Sequence, residues 1–387
     1  MVFESGTLRA AMQKISLSYS LEPSRDVTST APLRNTMMDV LHAVREQGSI
    51  SSAAKELGLS YRHVWGQLKG WEKELGHELL IWERGHSAQL SAFGQRLLMA
   101  ERMAQARLGP QIQTMRAELE RAFAQAFDAS DQGTGTEVLT IYASHDHALT
   151  LLQEMAAGFS PGSPSIPAQD RVHLDIRFCG SVDAIRALNE KRCTVAGFHM
   201  QPFAEAGSHS ARTYRPLLKP GTHKIIGFAR RTQGLIVAKG NPMRIRSLTD
   251  VARLQARFVN RAPGTGTRLL LEELMEQAGL SPIDIDGFDH IEASHAAVAH
   301  AVASGAAEAA LGTEYAARSL QLDFVPVTEE RYVLVCLKEA LTTPAVERLL
   351  RLLRSRAWTL ALDRLPGYGD DHSGQVAAMK RLLPWWK

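Results

Sequence analysis

Residues 260–268, NRAPGTGTR, set two glycines, two threonines and two arginines between a strand-like run, ARFVN, and a helical run from Leu269 to Ala278. A helix N-terminus offers unpaired backbone N–H groups and a partial positive charge, so such a loop favours an anion. Gly264 and Gly266 let the backbone approach a ligand closely, Thr265 and Thr267 carry hydroxyls that donate or cap, and Arg261 and Arg268 add charge. No Gly-Lys-Ser/Thr follows, so this is not the phosphate loop of nucleotide hydrolases. His145 and His147 bracket Asp146 in SHDH at another strand-to-helix turn. The sequence places no third ligand there for a metal, and two histidines near a helix start can instead help hold an anion, with Asp146 a mild argument against it. Ser144, His145 and Asp146 are consecutive, a spacing from which side chains rarely make a triad. Cys179 has no base beside it. No catalytic residue, metal site or cofactor is assigned, and the chain reads as something other than an enzyme.

These loops need elements to position them. Past residue 138 the pattern alternates strand and helix: VLTIYAS then an apolar helix, VHLDIRF then SVDAIRALNE, then TVAGFHM. That alternation implies a mostly parallel α/β sheet. HKIIGFARRTQGLIVAKGNP reads as two strands joined by a turn, and AEAALGT and YVLVCLK as later strands, before a helical end. The first part of the chain is different. Residues 1–30 read as a loose polar tail, and Met38, Val40, Leu41 and Val44 share one side of a first helix. Residues 92–130 read as a long helix that Gly109-Pro110 should kink or interrupt, with a linker at SDQGTGTE.

Between them, Ala53, Ala54 and Leu57 make a small apolar face, Gly58 permits a sharp turn, and Ser60 can cap a helix whose buried face is Val64, Leu68, Trp71 and Leu75. Two short helices joined by a Gly-containing turn form a helix-turn-helix. The second helix turns Ser60, Tyr61, Arg62, His63, Trp65, Gln67 and Lys69 towards a major groove, with Ser49 at the start of the first. WERGHSAQLS reads as a hairpin, the wing, with Arg84 and His86 near its tip.

The 387 residues allow two or three domains. A composition 45% hydrophobic and 22% charged is that of a soluble globular protein, and a net charge of +3 is too weak a bias to argue nucleic-acid binding. Three widely spaced cysteines imply no disulfide framework, and no secretory or membrane-spanning segment is evident, so a cytoplasmic location is expected, with no membrane partner.

SISSAAKELGLSYRHVWGQLKGWEKELG followed by LLIWERGHSAQLSAFG resembles the N-terminal domain of LysR-type and molybdate-responsive regulators, through Ala53-Ala54, Ser60, Arg84 and Leu90-Ser91-Ala92-Phe93-Gly94, with Ser91 for the usual Thr. YRHVWGQLKGWE is closer to the molybdate-responsive branch. QGLIVAKGNP, SLTDVARLQARFVNRAPGTGTRLLLEELMEQAGL, SHAAVAHAVASGAAEAALGTEYAA and LPGYGDDHSGQ resemble the periplasmic-binding-protein-like (substrate-binding-like) domain of molybdate-linked proteins. The resemblance implies a multidomain protein: an all-α winged helix-turn-helix at 31–91, a linker and dimerisation helix at 92–130, and a two-lobed α/β periplasmic-binding-protein-like domain at 131–387. It implies ligand-binding residues Ser144, His145, Gly180, Ser181, Arg261, Gly264, Thr265, Gly266, Thr267, Arg268, Ser294, Glu314 and Tyr315, most of them just before a helix. The implied function is a homodimeric or homotetrameric regulator of a double-stranded DNA operator. Its effector would be molybdate or tungstate, with a molybdenum-cofactor precursor or a small carboxylate such as formate as further candidates. The alternative is a molybdenum-cofactor-handling enzyme or binding protein with a helix-turn-helix docking module.

Overall fold

The computed structural model describes residues 35–81, 88–128, 138–158, 172–201 and 206–386. The tail at 1–30, the linker at 130–137 and the wing tip that carries Arg84 and His86 lie outside the described residues.

The N-terminal module consists of α1 (Thr36–Gln47), α2 (Ile50–Glu56), α3 (Tyr61–Leu75), the antiparallel strands β1 (Leu80–Ile81) and β2 (Gln89–Leu90), and the start of a long helix, α4 (Ala92–Asp128). Local chemistry marks each of the first three starts. Asn35 Oδ1 accepts from the Met37 and Met38 amides, Ser49 Oγ from Ser52 at 3.1 Å, and Ser60 Oγ from His63 at 3.2 Å. Between α2 and α3, Gly58 turns the chain in the left-handed region, at φ +68°. Val40, Leu41, Val44, Ala53, Ala54, Val64, Leu68, Leu79, Leu90 and Leu98 close one core, and Trp71 and Leu75 pack at its edge.

α4 is not interrupted at Gly109-Pro110: Pro110 lies inside it and the helix runs on through residue 128. A mid-helix proline removes one backbone donor and typically costs about 3 kcal/mol. Here Gly109 and Pro110 are both buried, so tertiary packing offsets that cost.

The α/β part is two-lobed. The first lobe takes β3 (Val138–Ala143), α5 (His147–Ala156), β4 (His173–Phe178), α6 (Ser181–Asn189), β5 (Val195–Met200) and α7 (His209–Tyr214), with β3 parallel to β4 and β5. β6 (His223–Val237) crosses to the second lobe, made of α8 (Leu248–Arg253), β7 (Phe258–Arg261), α9 (Gly266–Ala278), β8 (Ile291–Glu292), α10 (His295–Ala303), β9 (Ala309–Thr313) and α11 (Glu314–Arg318). There β7 is parallel to β8 and β9. β10 (Asp323–Leu337) crosses back, and α12 (Pro344–Leu353), α13 (Arg356–Leu362), β11 (Tyr368–Gly369), β12 (Val376–Ala378) and α14 (Met379–Leu382) finish on the first lobe and on β6. The sheet order is β4-β3-β5-β10-β6-β9-β7-β8.

The expected hairpin at HKIIGFARRTQGLIV is instead this single crossing strand of 15 residues, paired antiparallel with β10. Register shifts fall between Pro326 and Thr328 and between Tyr332 and Val333, which lets both strands bend where they pass from lobe to lobe. The polar residues that looked like a turn are the crossing itself, and Arg231, Gln233 and Glu330 are buried there.

Candidate functional sites

α3 presents its polar face to solvent. Tyr61, Arg62 and His63 are exposed at its first turn, where a groove-inserted helix would meet base edges. Tyr61 stacks on half-buried Trp65 with ring centroids 6.2 Å apart. Lys69 is more committed: its Nζ lies 5.0 Å from the Trp65 centroid and 2.7 Å from Glu72 Oε2. The other oxygen of Glu72 accepts from the Leu79 amide at 2.9 Å, bracing the start of β1. Gln67 is half-buried, and the hydroxyls of Ser49 and Ser60 are engaged as caps.

The second site lies between the lobes, over the crossing strands. At its base, Arg231 of β6 is ion-paired with Asp146, the cap of α5, and with Glu330 of β10. Tyr368 OH donates to Asp146 Oδ2 at 2.8 Å and Gln233 Nε2 to Glu330 Oε1 at 2.8 Å. The two carboxylates are thus matched by Arg231 and neutral donors. Arg261, at the end of β7, is not matched. It is 3% exposed, and its Nε and Nη1 have no hydrogen-bond partner among the described residues. Burial, then the nearby positive charge of Arg231, lowers its pKa to about 10.

Four histidines belong to the same charge environment: the Arg261 charge acts on His145, His199 and His295, and the Arg231 charge on His147. His145 Nδ1, His147 Nδ1, His199 Nε2 and His295 Nδ1 are all buried without a partner among the described residues. Burial lowers His145 to about 3, aided by His147 and Arg261, and lowers His147 to about 4. His199 and His295 are held well below the ordinary imidazole value, by burial and then by the Arg231 and Arg261 charges. At neutral pH all four are uncharged rings with one donor each. Ser144 Oγ and Ser181 Oγ lie 3.3 Å apart, and Ser181 Oγ lies 3.4 Å from His199 Nδ1.

The lobes meet closely around these groups. A Cβ on Gly180 would lie 2.9 Å from the Gly264 carbonyl oxygen, and a Cβ on Gly266 would lie 2.6 Å from His199 Cβ. Gly180 is therefore required by the Gly264 backbone and Gly266 by the His199 side chain across the cleft, and Gly264 also sits at φ +79°. The Ser210 hydroxyl of α7 donates to Glu273 of α9 at 3.1 Å, a further tie between lobes.

The sequence-derived residues divide accordingly. The structure gathers Ser144, His145, Gly180, Ser181, Arg261, Gly264, Gly266 and Thr267 at the cleft. Thr265 is the cap of α9, accepting from the Arg268 amide. Arg268 does not supply the cleft with charge: it bonds Glu272 and the Phe288 carbonyl and lies 3.9 Å from the Phe288 ring centroid, which fastens α9 to its own lobe. Ser294 caps α10 and donates to the Ala106 carbonyl of α4 at 2.7 Å, so its hydroxyl is engaged with α4. Glu314 is engaged with Arg318, and Tyr315 packs on His147 at 4.1 Å.

Sequence reasoning missed His199, Gln233 and His295, and the Arg231–Asp146–Glu330 base with Tyr368 bonded into it. The available signal was charged or amide side chains in the middle of apolar strand runs, as in ARRTQGLIV, where burial without a partner is costly. Among the described residues no set of three His, Cys, Asp or Glu is disposed to hold a metal ion, and no helix is long and apolar enough to cross a membrane.

Comparison with known proteins gives two family matches. Residues 36–95 match the bacterial regulatory helix-turn-helix protein, lysR family, and residues 166–354 match the PBP superfamily domain. The chain is 31% identical over 200 residues to the Bacillus subtilis (strain 168) protein YvgK, covering 52% of this chain and 64% of that one, so it spans less than two thirds of that relative. It is 35% identical over 109 residues to a Clostridium pasteurianum protein from the 5′ region of a 2Fe-2S ferredoxin gene, covering 28% of this chain and 96% of that one. A solved cysteine mutant of Corynebacterium glutamicum OxyR is 15% identical, with 84% of this chain and 93% of that chain covered and a TM-score of 0.41.

Proposed function

We propose, for a chain that belongs to one family with the Clostridium pasteurianum protein and joins a lysR-family regulatory helix-turn-helix to a PBP-superfamily domain, that it is a ligand-responsive transcriptional regulator. Its effector is a small anion held between the lobes. One observation carries this reading: a buried arginine, Arg261, with two guanidinium nitrogens unpartnered among the described residues and no ion pair, whose charge acts on neutral histidines of both lobes, His145, His199 and His295. An uncompensated buried charge is expensive, and an anion arriving there relieves it.

The donor set favours a compact oxyanion, molybdate or tungstate. Neutral imidazoles, serine and threonine hydroxyls and the N-terminus of α9 supply hydrogen bonds around a single unmatched cation. The close approach of Gly180 to Gly264 and of Gly266 to His199 disfavours a bulky cofactor precursor unless the lobes part. A small carboxylate such as formate, a smaller monoanion, would meet the Arg261 charge one to one.

α4 ties this cleft to DNA. Its first turns share the helix-turn-helix core through Leu98, and Arg102 reaches His42 of α1 at 2.9 Å. Further along, Arg107 makes a two-pronged ion pair with Glu292 of the second lobe, and Glu118 pairs with Arg177 of the first lobe at 3.2 Å. One helix thus bridges both lobes, and a change in lobe closure moves its anchors relative to each other. Ligand can shift the DNA-binding arrangement only by its differential affinity for the two states, typically about 1–3 kcal/mol of coupling. Leu108 and Met115, exposed on α4, suit pairing with a second copy, which would set two α3 helices on half-sites in cytoplasmic DNA.

The test is a footprint of the full chain on duplex from its own upstream region, with calorimetric titration of molybdate, tungstate, sulfate and formate. Sequence-selective protection whose affinity changes with one of these anions is expected. Absence of selective protection at moderate salt would falsify the regulator reading, and absence of heat with all four would remove the anion.

A further inference from the structure

The polar side chains on the second lobe's wall form a directed hydrogen-bond chain. It begins at Glu330, whose Oε1 accepts from Arg231 and, at 2.8 Å, from Gln233 Nε2. An ionised carboxylate only accepts, so the Gln233 amide must present its nitrogen there. The same Nε2 lies 3.2 Å from Thr267 Oγ1, which therefore accepts, and the threonine proton must point elsewhere. The acceptor within reach is His295 Nε2, at 3.4 Å. A neutral imidazole has one donor and one acceptor nitrogen, so if Nε2 accepts, the proton is on Nδ1. That Nδ1 is buried and has no partner among the described residues. His295 lies where the charges of Arg261 and Arg231 act on it, and burial keeps it neutral.

We infer that Glu330, acting through Gln233 and Thr267, locks His295 in its Nδ1–H tautomer and so makes it a fixed donor to an ionised oxygen of the anion in the cleft. The inference rests on the reading that the cleft holds a small anion, and it names a specificity residue for that site. The chain starts on a hinge strand, since Glu330 belongs to β10 and is paired with Arg231 of β6, which in turn holds Asp146 of the first lobe. The donor is therefore set by the contacts that join the lobes. Its neighbour Ser294 grips α4 at Ala106, so the side chain that holds the ligand and the one that holds the linker are adjacent on α10.

The experiment uses the full chain with histidines labelled in ¹⁵N, observed by long-range proton–nitrogen correlation, with the His295 signals assigned by their loss in His295→Asn. The Nδ1–H tautomer is expected in the wild type and in Thr267→Ser, and a mixture in Thr267→Val. Molybdate titration forms the second arm. His295→Asn puts an amide nitrogen where Nδ1 stood and should bind within about threefold of wild type, whereas His295→Gln puts it at Nε2 and should lose about tenfold or more. A wild-type Nε2–H tautomer, or equal affinity in His295→Asn and His295→Gln, overturns the proposal. An Nδ1–H tautomer in a wild-type chain that binds neither molybdate nor formate supports the lock and removes the anion reading instead.

Discussion

The helix-turn-helix and the inter-lobe cleft handle polar groups in opposite ways. In the first, Asn35, Ser49 and Ser60 satisfy backbone donors two or three residues away, and Tyr61, Arg62 and His63, the proposed DNA-facing side chains, stay in water. In the second, Arg231 meets Asp146 across 85 residues and Tyr368 meets Asp146 across 222, while buried Arg261, His199 and His295 and half-buried His145 and His147 keep buried nitrogens unpartnered among the described residues. The contrast shows where binding energy is held before a partner arrives. An exposed reader gains its contacts on docking and loses little without them. A cleft keeps desolvated groups in place at a cost to the fold, which under the proposed function the anion would relieve.

The contrast is sharpest between the two buried arginines. Arg231→Met leaves Asp146 and Glu330 buried without their cation and should destabilise the chain by about 3–5 kcal/mol in urea unfolding. A loss under about 1 kcal/mol would mean that the carboxylates find other partners, and that the base of the cleft is not the paired cluster described. Arg261→Met should go the other way: the ligand-free chain becomes no less stable, while anion affinity falls by about 2–5 kcal/mol by calorimetry. If Arg261→Met unfolds the protein as Arg231→Met does, Arg261 is a structural cation and the two sites lose their distinction.

On the exposed side, Arg62→Ala should leave the unfolding midpoint in place and weaken operator binding by about 1–3 kcal/mol if the guanidinium meets a base. Unchanged footprints and affinity would show that α3 is not the reading helix.

The smallest effect is a drift with pH. His145 and His147, lowered by burial to about 3 and about 4 from 6.5, remain neutral in the fold. The unfolded chain takes up their protons as pH falls through 6.5, so these residues leave stability unchanged above that value and erode it from there towards pH 4. Urea midpoints at about pH 7.5, 6 and 5 should decline, and His145→Gln with His147→Gln should flatten the decline. A wild-type midpoint independent of pH over that range would contradict the burial of these rings.

The helix-turn-helix was legible because its determinants are local. Ala53-Ala54, Gly58 and Ser60 lie within eight residues of one another and act through backbone groups of their own turn. The loop at 260–268 was legible for the same reason, as far as the cap at Thr265 and the glycines. Arg261 was visible beside it, but nothing in the sequence distinguished it from Arg268, which bonds within its own lobe. ARRTQG looked like a turn because charged and amide residues in a strand are normally exposed. Its partners at Glu330, Asp146 and Thr267 come from three other elements, and only their convergence makes the strand continuous.

Sequence alone determined which segments are helix and which are α/β, where most helices start, and that hydroxyls and glycines gather at those starts. Tertiary structure decided which cation stands unmatched, which histidines share the cleft, and that Gly109-Pro110 stays within a helix. The physical reason is that capping and periodicity are short-range, set by neighbours along the chain. Burial and charge compensation depend on groups that meet only after the lobes have folded against each other.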